Sequence, residues 1–136
     1  MGVRKLLEET FDFDIIDEFL DHFSKVTEEI ELLTIQLEKP EYYVRNVNEL
    51  FRIFHNVKSA TGFLHVDIIN RFAISVEDVL EQMRKEEGPA PAWLVDWLLA
   101  CDDQMGKWNE NFRKDEELEP LADVLQKAPH HLNLKS

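Results

Sequence analysis

The segment FRIFHNVKSATGFL, residues 51–64, sets the architecture of this chain. With Val47 and Leu50 ahead of it, Phe51, Phe54 and Val57 recur at spacings of three and four, the period of a helix with one buried face. His55 falls just off that stripe. At about 100° per residue, Asn48, Arg52, Lys58, Ser59 and Gly62 project to roughly the same side as His55. That side carries one imidazole, two cations, small polar groups and a gap at Gly62. A glycine inside a helix costs roughly 0.5–1 kcal/mol relative to alanine. Its place two turns beyond His55 therefore implies that something approaches this face closely.

Helical spacing continues on both sides. Over residues 12–38, Ile15, Ile16, Phe19, Phe23, Val26, Ile30, Leu33 and Leu37 keep it for several turns, with Asp12 or Asp14 as a cap and Pro40 as the stop. Residues 1–10 read as a frayed lead-in. The helix that holds His55 is expected over residues 43–63. A third helix opens at 66–67 with Asp67 as its cap, buries Ile69, Phe72, Val76, Val79, Leu80 and Met83, and ends near Arg84 and Lys85. Gly88-Pro89-Ala90-Pro91 is the clearest loop. A fourth helix over residues 91–112 turns Trp93, Leu94, Trp97, Leu98, Cys101, Met105 and Trp108 inward, so the tryptophans read as core rather than as a cofactor site. A charged connector at 113–117 leads to a short fifth helix over 118–127. No strand pattern and no internal repeat competes. The prediction is an all-α chain, an antiparallel four-helix bundle with an additional short C-terminal helix. It forms a single domain over residues 1–136, with its core at about 12–112 and flexible ends.

Composition excludes several function classes. Lys and Arg number 15 against 28 Asp and Glu, a net charge of −13, and no basic patch lies beyond the His55 neighbourhood. Nucleic acids and anionic membrane surfaces need clustered cations, so neither is an expected partner. Cys101 is the lone cysteine, which rules out an internal disulfide and fits a reducing cytoplasm. No apolar run approaches a membrane span, and the first ten residues lack a signal-peptide core. No Gly-rich phosphate loop is present, so the chain has no ATP site of its own and no cofactor is expected. Metal sites are not expected either. No Glu has a His three residues later, Glu18 and His22 read as surface, and His130-His131 suggests at most a weak adventitious contact.

His55, Lys58, the small residues Ser59 and Ala60, Gly62, and Phe63-Leu64 follow the order of a known motif, with Phe51-Arg52 just ahead. In this the chain resembles the histidine-containing phosphotransfer domain, most closely the version at the N-terminus of CheA-type chemotaxis kinases. Two positions depart from the pattern. Ser59 stands where the family often has glycine, a tolerable change between small residues. His65 stands where glycine usually follows the Phe-Leu pair, which bears on how the helix ends. Five helices are also the expected count in the resembling domains, so the likeness spans nearly the whole chain.

Phosphotransfer through histidine needs a neutral, exposed imidazole nitrogen, and an ordinary histidine pKa of about 6.5 leaves much of that form near pH 7. Lys58, one turn from His55, suits the oxygens of a phosphoryl group; Arg52 either assists or solvates the face. The second ring nitrogen needs an acceptor to fix the tautomer. Glu77, at the edge of the third helix's stripe beside Ala73 and Leu80, is the candidate. The resemblance independently implies a glutamate at this spacing bonded to the histidine. It also implies a second histidine three residues earlier, where this chain has Ile74, so any charge network through that position is absent here.

The resulting expectation is a two-component phosphocarrier with His55 as phosphoacceptor and Lys58 and Glu77 beside it. A receiver would dock across Arg52, Ser59, Gly62 and Phe63. Phosphate would come from a histidine kinase catalytic domain, in cis or in trans, or from a phosphorylated receiver. It would leave for an aspartate of a response-regulator receiver domain. A monomer is expected. The chain reads more readily as the N-terminal domain of a larger kinase than as a stand-alone carrier. The alternative is a non-catalytic helical module that binds receivers or kinases without carrying phosphate. Taken singly, each site residue has a plainer explanation as a solvated surface group; the spacing of His55, Lys58 and Gly62 favours the chemical one.

Overall fold

Pro40 starts the central helix rather than only ending the one before it. The computed structural model describes residues 2–129, and in it Pro40 is the first residue of a helix running Pro40–Phe63, here α3. A missing N–H costs nothing at that position and the fixed φ suits it. The other elements are α1 (Val3–Glu8), α2 (Phe13–Ile35), α4 (Asp67–Arg84) and α5 (Ala92–Arg113), with 3-10 turns at Gln36–Glu38 and Asp123–Leu125. No strand occurs among the described residues. The predicted all-α bundle is the fold observed. His130-His131 lies outside the described residues.

Asp12 stands at the α2 N-cap without a side-chain bond to it. Val66, not Asp67, is the N-cap of α4, and Asp67 lies in the first turn, where its charge still favours the helix dipole. The turn between α3 and α4 is tighter than a loop. Val66 N–H bonds the Thr61 carbonyl at 2.9 Å and His65 N–H the Gly62 carbonyl at 3.3 Å, the paired bonds of a Schellman cap. His65 supplies the left-handed residue of that cap, with φ 58°. The resembling domains usually have glycine there. Histidine makes the same turn at some backbone cost.

α3 lies antiparallel to both neighbours. Its start is pinned to the end of α4 by the Tyr43 hydroxyl, which donates to the Met83 carbonyl at 2.8 Å. Burial, with Glu86 nearby, pushes that phenol up to about 12. On the other side, buried Asn46 donates to the Leu33 carbonyl at 3.1 Å and to Gln36 Oε1 at 2.9 Å, fixing the α2–α3 corner. α5 closes the bundle against α2. The core contains two aromatic groups. Phe19, Phe23 and Phe112 meet with ring centroids 5.5–5.7 Å apart, and Phe72 packs edge-on against both Phe54 and Trp108.

Three further expectations change. The expected frayed lead-in is ordered from residue 2 onward: α1 buries Val3 and Leu7. Its open N–H groups are met from α5's far end, where the Asp115 carboxylate accepts from the amides of Arg4 at 3.0 Å and Lys5 at 3.3 Å. Capping by a residue over a hundred positions away leaves no local signature. Trp93 is half exposed instead of inward, whereas Trp97 and Trp108 are buried as expected. The C-terminal helix shrinks to the 3-10 turn at Asp123–Leu125. Ahead of it, side chains of α5 bind the backbone of residues 119–122. Trp108 Nε1 donates to the Glu119 carbonyl at 2.8 Å, Asn111 Oδ1 accepts from Glu119 N–H at 2.9 Å and Gln104 Oε1 from Ala122 N–H at 2.8 Å. Pro120 favours this outcome, since the residue before a proline is biased away from the helix.

Candidate functional site

His55 projects from the middle of α3 toward α4 with about half of its side chain exposed. Its Nδ1 lies 2.8 Å from Glu77 Oε2. Lys58, one turn further along α3, donates from Nζ to the other carboxylate oxygen, Glu77 Oε1, at 2.9 Å. The edge position of Glu77 on the α4 stripe explains the reach: Val76 and Leu80 are buried beside it, while its own side chain keeps 14% exposure. Burial works to raise the Glu77 carboxyl, but the hydrogen bonds from Lys58 and His55, and their charges, outweigh it and hold it below the usual carboxylate range. Glu77 is thus an anion accepting from two donors. In the neutral imidazole Nδ1 then carries the proton, and Nε2, with no partner among the described residues, carries the lone pair.

The remaining face residues divide. Arg52 is turned to Glu49, Nη2 to Oε2 at 2.6 Å, and stays out of the Glu77 cluster. Ser59 and Gly62 are exposed. Phe63 is 62% exposed, with its ring 5.4 Å from that of Phe11. Beside it a shallow cavity of about 240 Å³ opens between α2 and α3, lined by Ile15, Phe19, Ala60, Phe63 and Leu64 and by the polar Glu18 and His22. Gly62 has an internal neighbour that the sequence did not disclose. A Cβ there would come within 3.3 Å of Asn70 Nδ2, and Asn70 donates to the Lys58 carbonyl at 2.8 Å. Some of the room left by glycine is therefore taken by α4 itself.

Phe51 and Arg84 also belong to the site, although the periodicity marked Phe51 only as stripe and Arg84 only as a helix-end charge. The Phe51 and His55 rings lie 6.1 Å apart and 14° from parallel. Arg84 places its guanidinium 4.4 Å from the Phe51 centroid. The signal in the sequence was the i, i+4 spacing of Phe51 and His55. Nothing local pointed to Arg84. Among the described residues no group of three or more His, Cys, Asp or Glu side chains is arranged to hold a metal ion, and no helix is long and apolar enough to cross a membrane.

The site is thus a half-exposed imidazole on the wall of a helical bundle, with one nitrogen tied to a carboxylate and the other open. The chain is similar to the sensor histidine kinase CheAY of Helicobacter pylori, with 27% identity over 92 residues. That alignment covers 68% of this chain and 12% of the kinase. The likeness is therefore to one part of that kinase, and the aligned residues span a small fraction of its length. No family model matches the sequence, and no solved structure matches it.

Proposed function

We propose that this chain is a histidine phosphocarrier of a two-component, chemotaxis-type signalling system, with His55 as the phosphoacceptor. The observation that carries the reading is the division of labour on the His55 ring: Nδ1 is bound by Glu77 and Nε2 is open on an exposed face. The relationship to part of a CheA-type kinase supports the same class of chemistry.

In the proposed reaction the Nε2 lone pair attacks the phosphorus of a donor, either ATP held by a separate kinase domain or the acyl phosphate of a receiver aspartate. An N–P bond forms, the P–O bond to the leaving group breaks, and ADP or the carboxylate departs with the electron pair. Nδ1 keeps its proton, and the positive charge developing on the ring is met by ionised Glu77. Lys58 has two further N–H groups beyond the one given to Glu77, and these are available to phosphoryl oxygens. In the onward step a receiver carboxylate attacks phosphorus, the N–P bond breaks and its electrons return to Nε2. The receiver would seat on Ser59, Gly62 and Phe63, with apolar atoms entering the α2–α3 cavity beside Phe63.

The test is phosphorylation by a CheA-type kinase catalytic core that lacks its own phosphotransfer domain, with γ-labelled ATP. Acid-labile, base-stable label on the wild type and none on His55→Gln is the expected result. Absence of label with several kinase cores, together with receiver binding, would replace this reading with a non-catalytic interaction module. Label persisting in His55→Gln would place the chemistry elsewhere.

A further inference from the structure

Three planar groups stand in a row along the surface of α3. The imidazole of His55 stacks on Phe51, one turn earlier, at 6.1 Å and 14°. The guanidinium of Arg84, from the last turn of α4, sits on the same phenyl ring at 4.4 Å. Arg84 comes from the side of Asn48, whose Oδ1 accepts from its Nε at 3.2 Å, and its Nη1 also donates to Glu81 Oε2 at 3.0 Å. Asn48, which holds the cation, precedes Phe51 by three residues and His55 follows it by four, so the two flank Phe51 along the helix.

We infer that Arg84, acting through Phe51, is a positioning residue for His55. This inference rests on the phosphocarrier reading. A single hydrogen bond from Nδ1 to Glu77 leaves the imidazole free to swing about that bond. A nearly parallel phenyl face removes that freedom, because the ring can tilt only by losing the stacked contact. Phe51 is only half-buried, so the core alone does not hold its ring. Arg84 supplies the second wall, a guanidinium over the ring face, and it is itself held at Nε and Nη1. The result is an imidazole whose plane is set before any donor arrives, with Nδ1 addressed to Glu77 and Nε2 directed outward. Rates of in-line displacement at phosphorus depend on such alignment.

The test combines a spectroscopic readout with a kinetic one, on the full chain. Long-range ¹H–¹⁵N correlation spectra recorded at about pH 8, above the ordinary histidine range, report which ring nitrogen of His55 carries the proton. Wild type should show protonated Nδ1 and unprotonated Nε2. In Arg84→Gln and Phe51→Leu the two ¹⁵N shifts should converge as the tautomers mix. Phosphoryl uptake at saturating kinase core should slow about three- to fivefold, the equivalent of one cation–π contact, with little change in the half-saturating concentration. Arg84→Lys, which keeps a cation over the ring, should recover part of both. Unchanged ¹⁵N shifts and unchanged uptake in both variants would overturn the inference. So would slower uptake with an unaltered ¹⁵N pattern, since Arg84 would then act on docking. Convergent shifts in a chain that no kinase labels would retain the positioning role and remove the carrier reading.

Discussion

Replacing Glu77 with glutamine is the most informative single change, because it alters charge and hydrogen bonding while nearly preserving shape. The carboxylate accepts from His55 Nδ1 at 2.8 Å through one oxygen and from Lys58 Nζ at 2.9 Å through the other. A glutamine offers one acceptor oxygen and one NH₂ group, so either Lys58 or the Nδ1–H tautomer of His55 loses its acceptor. A hydrogen bond to a charged group contributes about 1.5–3 kcal/mol in general, and the half-exposed imidazole puts this one near the low end. If His55 carries phosphate as proposed, a loss of about 1.4 kcal/mol in the transition state, where the ring becomes cationic, slows phosphoryl uptake about tenfold. The effect should fall on the rate at saturating kinase, since Glu77 is turned toward α3 rather than toward a docking partner. The change also has a pH signature in stability. The Glu77 carboxyl is held below its ordinary value in the folded chain. Its contribution is therefore present above the unfolded carboxylate pKa and lost as pH falls through the lower folded one. Denaturation midpoints of wild type and Glu77→Gln should differ at neutral pH and converge in acid. Rapid-quench uptake with labelled ATP, read beside the His55 ¹⁵N shifts, decides the matter. Wild-type uptake in Glu77→Gln with an unchanged tautomer would refute the reasoning.

Two further changes probe the scaffold. His65 holds φ 58° at the α3 cap, where glycine is free of the steric penalty. His65→Gly should therefore stabilise the chain by about 0.5–1 kcal/mol and raise Tm by a few degrees; a lower Tm would mean that the imidazole makes compensating contacts. Asp102 is half-buried on α5 and its carboxyl is pushed up to about 6, first by burial and then by Glu31 and Asp103. Its ionisation thus opposes folding at neutral pH. Asp102→Asn should stabilise by about 1 kcal/mol at pH 7, a figure reduced for solvent screening. The gain should shrink as pH drops below about 6 and vanish near the unfolded carboxylate range of about 4. A gain that did not depend on pH in guanidinium melts would point to packing instead of charge.

The bundle was legible because its long helices carry their apolar residues at strict helical spacing. Ile16, Phe19, Phe23, Val26 and Ile30 of α2 are all buried, as are Ile69, Phe72, Val76, Val79, Leu80 and Met83 of α4. The misread parts depend on contacts remote in sequence. α1 forms because Asp115 caps it and the Glu116 carbonyl accepts from Val3 N–H at 3.1 Å. Residues 118–122 leave the helix because Gln104, Trp108 and Asn111 of α5 offer their backbone better partners than a short isolated helix would. Trp93 shares the helical spacing of Trp97 and Cys101, but its position in the first turn of α5 leaves it half exposed. In the site, the spacing of His55, Lys58 and Gly62 pointed to a face, and the stripe edge pointed to Glu77. Arg84 and Asn70 enter from α4 at points fixed only by the antiparallel pairing of α3 with α4. No pattern within either helix reveals them.

The charges around His55 also bear on which donors can reach it. Lys58 is paired with Glu77, Arg52 with Glu49 and Arg84 with Glu81. Each cation near the imidazole therefore has its own carboxylate, on a chain whose net charge is −13. Such a face does not attract phosphate through a long-range field; the surrounding protein repels it. It can stabilise a phosphoryl group only once a partner has brought it within hydrogen-bonding distance of Lys58. That suits a carrier, since a site binding phosphate strongly would be slow to give it up. Acetyl phosphate alone should thus label His55 far more slowly than a kinase core or a phosphorylated receiver at equal phosphodonor concentration. Raising the ionic strength should narrow the gap by screening the repulsion of the free anion. Time courses of label from the two kinds of donor, at low and high salt, test this directly. Rapid labelling by acetyl phosphate in the absence of any protein donor would mean that the His55 face binds the anion by itself, and that the pairing of its cations with carboxylates does not hold in solution.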